Sequence, residues 1–591
     1  MAIEPTEFDL IALGTGLPES ILAGAAAKAG KSVLHLDGAE QYGSHWAGLS
    51  LDAFLKWVEA THDRASAPRS DPAPAVPVPE PPGLLHAVRE PPPLYRGFEL
   101  LCGDMSLMSQ ARDFVVDLAP KLALAAGNLV DGLVQSGAHN YMEFKLLQGS
   151  SLWQHGKLCA VPASRADIFK DRRLTLGDKR KLMRLLKEVV DPSSDAAERN
   201  APAFDDRPLV QLLEEQGLSQ ELQEFVMYGL VLATTDQGSG APPASARISA
   251  AEGKAAMLKY IASAGRHGPG TGAFILPLYG SGEIPQAFCR VGAVGGATYV
   301  LRCPVDGIVT ASGSDGGAVL AVRTGEGQLL RCRALVGNAE TLCGLLPPER
   351  LSLGGWISRC VAITDGPIQE GESMSLVVIP PRALDGHNAA AIHVLQLGPA
   401  AAVTPAGSNR YLVYFTTAAS SPSATAAQDL RPAVDALLRV PPDLEPAPAT
   451  GSPAAAGTKG RAEGEGEQGE QGGSPARPDF RPRVLVMGFY QQATAVELDP
   501  EAHIPPNVAL CPMPDGGLEY SQCMQQAKQL YGQLFPGEPA MFSAPAGGAA
   551  ADPLADDSDE DAIEALGAAL QAAGIPTQPA SGTDAPSEGS T

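Results

Sequence analysis

Apolar and polar positions follow a clear order in the N-terminal part of the chain. Residues 8–13 form a short apolar run that predicts a buried strand, and the alanine-rich residues 18–29 predict a helix. Gly30 closes that helix, and residues 32–36 predict a second strand. A strand, a helix and a strand within about thirty residues are typical of a βαβ unit, so we expect a sheet that begins with parallel strands.

The rest of the chain alternates between helical and strand-like patterns. Residues 110–135 and 165–230 have mainly helical spacing, whereas residues 296–340 contain several short strand patterns. Residues 356–440 and 483–510 alternate strand-like runs with turns. The predicted fold class is therefore mixed α/β, with a large dinucleotide-binding-like domain and an inserted helical domain.

Three segments have compositions that do not favour a buried core. Residues 63–93 hold ten prolines between Pro68 and Pro93, which predicts a polyproline-like, disordered loop. Residues 441–482 are rich in Gly, Pro, Ala and Glu, which predicts a low-complexity linker. Residues 543–591 form an acidic tail, with nine acids and no Lys or Arg from residue 544 onward, and we expect it to be disordered.

These boundaries predict a discontinuous large domain. It comprises residues 1–62, 94–162, 266–440 and 483–542, interrupted by the proline-rich insert (63–93), the helical domain (163–265) and the linker (441–482), and it is followed by the acidic tail (543–591).

Charge and cysteine usage narrow the class of protein. Lys and Arg number 43 against 67 Asp and Glu, a formal net charge of −24, so binding to nucleic acid or to an anionic leaflet through a basic surface is not expected. The nine cysteines form no C-x-x-C pair, which is typical of reduced thiols in the cytosol. No signal sequence and no long apolar run are recognisable, so the expected location is the cytoplasm.

The loop after the first strand carries part of a dinucleotide-binding motif. Gly14 and Gly16 occupy the first two glycine positions of G-x-G-x-x-G, and Asp37 stands where an acid would hold a ribose. Glu19 replaces the third glycine. Its side chain adds bulk beside the helix start, and its carboxylate would satisfy the helix dipole and repel a diphosphate. The sequence therefore predicts a dinucleotide-type fold whose cofactor site is lost, with tight FAD or NAD binding as the alternative.

No other pattern indicates catalysis. The ten histidines form no H-x-x-x-H or H-E-x-x-H pair, and neither G-x-S-x-G nor G-x-x-x-x-G-K-[ST] occurs. We therefore expect no catalytic residues and no metal site.

Four longer segments are more specific. They are T-E-F-D-L-I-A-L-G-T-G-L-P-E-S (6–20) with its continuation to W46, L-W-Q-H-G-K-L-C-A-V-P-A-S-R-A-D-I-F (152–169), P-L-Y-G-S-G-E-I-P-Q-A-F-C-R (277–290), and P-P-N-V-A-L-C-P-M-P-D-G-G-L (505–518). Together they resemble the Rab escort protein family, which is sister to the Rab GDP-dissociation inhibitors. The resemblance covers residues 5–540, apart from the low-complexity inserts.

The resemblance implies a non-catalytic accessory protein with a flavoprotein-like fold and no cofactor. Such a protein binds a newly made, GDP-bound Rab GTPase and presents it to the Rab geranylgeranyltransferase heterodimer. It then shields the geranylgeranyl lipid and delivers the Rab to a membrane, with which it associates only transiently. The alternatives are a generic Rab GDP-dissociation inhibitor, an FAD-dependent oxidoreductase and, more distantly, a lipid transport scaffold.

The resemblance also implies a Rab-binding platform on the large domain. Its residues here are Tyr42, Glu283 and Arg290. A carboxylate, a guanidinium and a phenol are common anchors of protein interfaces. The alternative is that Glu283 and Arg290 pair within the fold. One departure is Q-Y-G-S at 41–44, where the family commonly has Y-Y-G-G.

The helical domain is implied to have two roles. Phe169 and Arg180 match the residues that dock onto the transferase, although a core phenylalanine beside a solvated basic helix would have the same pattern. A geranylgeranyl cleft is also expected there. Its candidate lining residues are Leu182, Leu185, Leu186, Val189, Phe225, Val226 and Leu230, and helical spacing alone does not separate a cleft from a core.

Overall fold

The structure is a computed structural model. It describes residues 2–66, 75–88, 93–162, 164–190, 206–238, 247–312, 317–343, 345, 351–384, 388–442, 444–446, 480–494, 496–498 and 504–543. The predicted acidic tail beyond Ser543 and most of the predicted linker lie outside these residues.

The strands of the described residues form two large sheets and three small ones. The strands are β1 (Glu7–Leu13), β2 (Val33–Leu36), β3 (Gly48–Ser50), β4 (Val76–Pro79), β5 (Pro82–Ala87), β6 (Tyr95–Cys102), β7 (Val115–Asp117), β8 (Ala123–Leu124), β9 (Phe144–Leu146), β10 (Gly149–Gln154), β11 (Lys157–Ala160), β12 (Phe274–Pro277), β13 (Thr298–Val300), β14 (Val305–Thr310), β15 (Val319–Thr324), β16 (Leu329–Asn338), β17 (Leu351–Leu353), β18 (Trp356–Thr364), β19 (Met374–Ile379), β20 (Ile392–Leu397), β21 (Tyr411–Ala418), β22 (Glu445–Pro446), β23 (Val484–Ala493), β24 (Val496–Leu498) and β25 (Val508–Cys511).

The helices lie on and between these sheets. They are α1 (Leu17–Lys28), α2 (Leu51–Ser66), α3 (Asn128–Ser136), α4 (Arg165–Lys170), α5 (Leu176–Val190), α6 (Leu209–Glu215), α7 (Gln220–Glu224), α8 (Ala250–Ser263), α9 (Glu283–Val294), α10 (Ala426–Leu437) and α11 (Ser521–Leu534), with short 3-10 or π turns at Ser44–Trp46, Met105–Asp113, Ala138–Tyr141, Phe225–Leu230 and Pro399–Ala401.

The first sheet carries the predicted βαβ unit. Its order is β13-β2-β1-β16-β15-β14-β5-β4, with β25 also paired to β16. Strand β1 runs parallel to both β2 and β16, which confirms the expected parallel start. Helices α1, α9 and α11 bury their apolar side chains in one core against this sheet, and the mainly apolar strands are typical of a sheet covered on both faces.

The second sheet is mainly antiparallel. Its order is β11-β10-β19-β20-β21-β18-β23-β6-β22, and α10 packs on one face. The other face shares one apolar core with α5, α6 and α8. The helical insertion therefore has no separate core in the described residues, because its buried leucines pack against residues of this sheet.

The proline-rich insert contains two strands, so the prediction of a disordered loop over residues 63–93 is wrong for its described part. Strand β5 pairs with β14 and β4 pairs with β5, which extends the first sheet at its edge. Proline lacks a backbone N–H, and an edge strand tolerates this loss because one side of the strand has no ladder partner. The extended conformation that proline favours also resembles that of a strand.

The secondary structure of two further regions differs from the predictions. Residues 110–135 are mainly non-α-helical, because only α3 is an α-helix there and β7 pairs with β3. Short apolar runs such as V-V-D do not distinguish strand from helix by spacing alone. Strand β22, at the start of the predicted linker, pairs with β6.

Candidate functional site

The glycine loop between β1 and α1 is folded as the motif requires, but Glu19 lies within it. Gly14 has a φ of 86°, which favours glycine, and its carbonyl oxygen lies 2.7 Å from Nε2 of His35. The Glu19 carboxylate folds back over Gly16. A Cβ atom at Gly16 would lie only 2.5 Å from Oε2 of Glu19. The side chain thus occupies the space where the loop would otherwise approach a ligand.

Glu19 is only 1% exposed, and its charge state depends on that burial. Loss of solvation raises its pKa to about 7, partly offset by its own backbone N–H and by His45 and Asn338. The nearby charge of Asp37 raises it further. The carboxyl group is therefore held at the helix start near its titration point at neutral pH.

The carboxylate of Asp37 accepts hydrogen bonds from other residues of the protein. Its Oδ2 accepts hydrogen bonds from the backbone N–H of Thr15 at 2.8 Å and from Oγ1 of Thr15 at 2.6 Å. Its Oδ1 accepts the N–H of Ala39 at 2.8 Å. The acid expected to hold a ribose is thus already bonded to the loop. Together with Glu19 over Gly16, this arrangement does not fit a dinucleotide diphosphate.

A rigid turn fixes the start of α9, where Glu283 lies. The N–H of Ser281 donates to Oδ1 of Asp117 at 2.8 Å, and the N–H of Tyr279 donates to the carbonyl of Ala401 at 3.1 Å. Gly280 has a φ of 96°, and a Cβ there would lie 2.8 Å from the same Asp117 oxygen. The turn therefore needs glycine at position 280. Burial also raises the pKa of the Asp117 carboxyl group to about 6.

Glu283 and Arg290 lie on one face of α9, two turns apart. Gln286, between them, donates from Nε2 to Oε1 of Glu283 at 3.3 Å, and burial raises the pKa of Glu283. Arg290 is exposed, and its guanidinium lies 5.9 Å from the centre of the Tyr141 ring. Glu283 thus contacts Gln286 and Arg290 contacts Tyr141, whereas the alternative interpretation had the two charged side chains pair with each other. The spacing of three and four residues makes Glu283, Gln286 and Arg290 one continuous stripe.

Tyr42 is half-buried beside this helix. Its ring packs edge-on against Tyr299, with the ring centres 6.3 Å apart. Burial raises the pKa of its phenol, and the nearby Asp37 carboxylate raises it further. Tyr42 therefore lies near Asp37, which follows β2, and near Cys289 on α9, with part of its ring covered by Tyr299.

Phe169 and Arg180 are both exposed in the helical region, on either side of the contact between α4 and α5 in the chain. Phe169 is the last residue but one of α4, a helix capped by Ser164, and is 52% exposed. Nζ of Lys179 donates to the carbonyl oxygen of Phe169 at 2.7 Å, so the first turn of α5 lies against the end of α4. Arg180 follows in that helix and is exposed. An exposed phenylalanine thus lies next to the first turn of a helix with several basic side chains.

The predicted lipid-cleft residues lie in the apolar core. Leu182, Leu185, Val189, Val226 and Leu230 are buried, whereas Leu186 and Phe225 are half-buried against the same cluster. In this conformation, the region is packed by its own side chains, so a lipid would have to displace some of them.

Sequence reasoning did not identify Asp117, Tyr141 or Tyr279. Tyr141 and Tyr279 are exposed near the two ends of the α9 stripe, and Asp117 holds the turn before it. Asp117 and Tyr141 are distant in the chain from the residues that they contact, so no local pattern signals them, whereas Tyr279 lies within the specific segment 277–290. Among the described residues, no helix is long and apolar enough to cross a membrane, and no cluster of three or more metal-ligating side chains occurs.

Most of the chain matches the sequence model of one protein family. The sequence model described as GDP dissociation inhibitor matches residues 4–70 and 92–443. The chain belongs to the GDP dissociation inhibitor family. The stretch between the two matched parts contains β4 and β5, so this hairpin lies outside the residues that the family model matches.

Curated members of the GDP dissociation inhibitor family resemble the chain over most of its length. Rab escort protein 1 of Arabidopsis thaliana is 30% identical over 563 residues, which cover 91% of this chain and 94% of that protein. A Rab geranylgeranyltransferase component A of Drosophila melanogaster is 29% identical over 431 residues, covering 71% of this chain and 75% of that protein.

A solved member of the GDP dissociation inhibitor family supports the fold. The crystal structure of a Rab GDI from Plasmodium falciparum superposes with a TM-score of 0.62 at 19% identity, covering 90% of this chain and 98% of that chain. The expected fold class, a GDI-type α/β architecture with a helical insertion, is therefore confirmed.

Proposed function

We propose that this chain is a Rab escort protein. It binds a newly synthesised Rab GTPase in its GDP form and presents it to Rab geranylgeranyltransferase for prenylation of C-terminal cysteines. It then shelters the geranylgeranyl chains and transfers the Rab to a membrane. The working location is the cytosol, with transient contact with membranes.

The exposed Phe169 carries this proposal. A phenylalanine that is 52% exposed loses hydrophobic stabilisation unless a partner covers it. The capped helix α4 and the Lys179 contact fix its backbone against the first turn of α5, the helix that carries Arg180. Aromatic and arginine side chains held in place are typical anchors of protein interfaces. A second partner site of this kind distinguishes an escort, which needs the transferase, from a simple dissociation inhibitor.

The α9 stripe supports the Rab-binding part of the proposal. Glu283 and Arg290 present opposite charges two turns apart on a helix whose start is fixed by the Asp117 turn. A pre-ordered stripe loses little conformational entropy when a partner binds. Tyr42 would contribute through the exposed part of its ring.

We further propose that the chain is not an enzyme and works without FAD or NAD. Glu19 over Gly16 and the internally bonded Asp37 support this, because both would oppose a dinucleotide. The transferase would supply the catalytic residues, and this chain would supply Rab recognition and shelter for the lipid.

A reconstituted prenylation assay tests the proposal. Purified transferase, a GDP-loaded Rab and labelled geranylgeranyl diphosphate are incubated with and without the chain. We expect label to enter the Rab only when the chain is present. The matched control is the chain with Phe169→Ala, which should bind Rab–GDP but fail to support labelling.

Two results would contradict the proposal in different ways. If no label enters the Rab, yet the chain extracts prenylated Rab from membranes, it acts as a generic Rab GDP-dissociation inhibitor. If it does neither, the family relationship accounts for the fold alone.

A further inference from the structure

The first residue of α5 is an exposed leucine, three residues before the lysine that contacts Phe169. Leu176 is 71% exposed, more than Phe169 itself. Lys179, one turn further along α5, donates its Nζ to the carbonyl oxygen of Phe169. The hydrogen bond from Lys179 therefore joins the first turn of α5 to the end of α4. The two exposed apolar side chains flank this contact.

A line of basic side chains continues from Arg180 along α5. Arg180, Arg184 and Lys187 are exposed and are spaced by four and three residues, so they share one face of the helix. This face stands out on a chain whose formal net charge is −24.

Neighbouring basic residues have structural partners instead. Lys179 is buried and bonds Phe169, and Lys181 donates to the carbonyl oxygen of Gly217 at 2.5 Å. Arg173 is held by Asp171, with its Nη2 2.6 Å from Oδ2, and also donates to the carbonyl oxygen of Ala160. The basic face of Arg180, Arg184 and Lys187 is thus distinct from the residues that maintain the fold.

We propose that Leu176 is a second apolar anchor beside Phe169, and that Arg180, Arg184 and Lys187 form a basic ridge that docks with it onto an acidic surface of the transferase. The partner surface would offer an apolar pocket for the Phe169–Leu176 pair, rimmed by carboxylates. This inference rests on the proposed function and extends the predicted two-residue contact to five residues on two helices.

The apolar pair and the basic ridge should affect different rate constants of transferase binding. Removal of a covered apolar side chain mainly raises the dissociation rate, whereas exposed charges mainly steer association and respond to salt. Charges more than about 8 Å apart in physiological salt are largely screened, so the ridge should matter most at low ionic strength.

The test measures binding of the transferase to the preformed complex of the full chain with Rab–GDP. The variants are Leu176→Ser, the double variant Arg184→Glu/Lys187→Glu, Phe169→Ala, and Lys528→Glu as a control for an exposed lysine on α11. We expect Leu176→Ser to weaken transferase binding about tenfold, mainly through faster dissociation. We expect the double reversal to slow association about tenfold at low salt and much less at high salt. Lys528→Glu should change neither.

Three outcomes separate the possibilities. If Phe169→Ala weakens transferase binding but Leu176→Ser and the double reversal do not, the inference is overturned and the proposed function stands. If Phe169→Ala also has no effect, the proposed docking site itself fails. If the double reversal instead abolishes binding to vesicles containing phosphatidylserine and leaves transferase binding unchanged, the ridge faces a membrane and the inference is wrong. Unchanged Rab–GDP affinity and thermal unfolding establish that each variant is folded.

Discussion

The guanidinium of Arg290 lies 5.9 Å from the centre of the Tyr141 ring. Arg290 projects from α9, and Tyr141 ends a 3-10 turn far earlier in the chain. A cation over an aromatic face at this distance is attracted by the ring's negative face. Tyr141 therefore orients the arginine of the proposed Rab platform before any partner arrives.

Tyr141→Leu should weaken Rab–GDP binding about twofold to fivefold, because a contact of this kind at an exposed site contributes about 0.5–1 kcal/mol. Tyr141→Phe keeps the aromatic face and should bind nearly as well as the wild type. Titration of labelled Rab–GDP measures both. If the leucine variant binds with unchanged affinity, or if the phenylalanine variant is equally impaired, the ring does not act through Arg290.

Arg290→Ala should weaken Rab–GDP binding by about tenfold or more, because an exposed arginine at the centre of an interface is a common hot spot. Arg266→Ala, which removes an exposed arginine outside α9, is the matched control and should leave the affinity unchanged. An Arg290→Ala affinity equal to that of the wild type would remove this residue from the platform.

Phe169→Ala should separate the two binding activities. Rab–GDP affinity should be unchanged, because Phe169 lies in α4 and the proposed platform lies on α9. Assembly with the transferase should fall by about tenfold or more, since a desolvated aromatic anchor is lost. Equal loss of both activities, together with a lower thermal unfolding temperature, would instead identify Phe169 as a structural residue.

Glu19→Gln should stabilise the protein increasingly as pH rises. The pKa of about 7 in the folded state exceeds the ordinary 4.5, so folding takes up a proton between these values and wild-type stability falls as pH rises through them. Glutamine does not titrate, so the stability of the variant does not fall in this way. The free energy of unfolding of Glu19→Gln minus that of the wild type should be about 2 kcal/mol larger at about pH 8 than at about pH 5.5.

Urea unfolding of both proteins at the two pH values measures this difference. Glu214→Gln, at an exposed position on α6, is the control and should show no such pH dependence. A constant difference between wild type and Glu19→Gln across this range would mean that the buried carboxyl does not change its protonation there.

Leu182→Ala should lower the free energy of unfolding by about 2–5 kcal/mol, because Leu182 is fully buried and its removal leaves a cavity. Leu186→Ala, at a half-buried position one turn away, should cost roughly half as much. Denaturant unfolding compares the two. If Leu182→Ala leaves stability unchanged but weakens binding of a geranylgeranylated Rab, this side chain lines a lipid cleft instead of the core.

The purified chain should show no flavin absorbance, even after incubation with excess FAD. The Glu19 carboxylate lies over Gly16, and Asp37 already accepts two hydrogen bonds from Thr15. If one FAD per chain remains bound after gel filtration, as shown by the flavin absorption spectrum, the expectation is wrong and the oxidoreductase alternative is favoured.

The glycine loop was largely predictable because its evidence is local. Glycine spacing, the helix start and the acid after β2 lie within the first βαβ unit, so the motif and the replacement at Glu19 could be interpreted together. The proline-rich insert was misjudged for the opposite reason. Composition describes residues 76–87 in isolation, whereas their pairing with β14 depends on residues more than 200 positions away.

The sequence by itself indicated the mixed α/β class, because periodicity is a property of neighbouring residues, and the resemblance of four segments indicated the family. Only the tertiary structure decided which candidates face solvent. Phe169 is exposed and Leu182 is buried, although both lie on short apolar stretches of neighbouring helices. The same holds for the Arg290–Tyr141 contact and for the exposed Leu176. Exposure depends on which distant segments cover a side chain, and that information is absent from any local pattern.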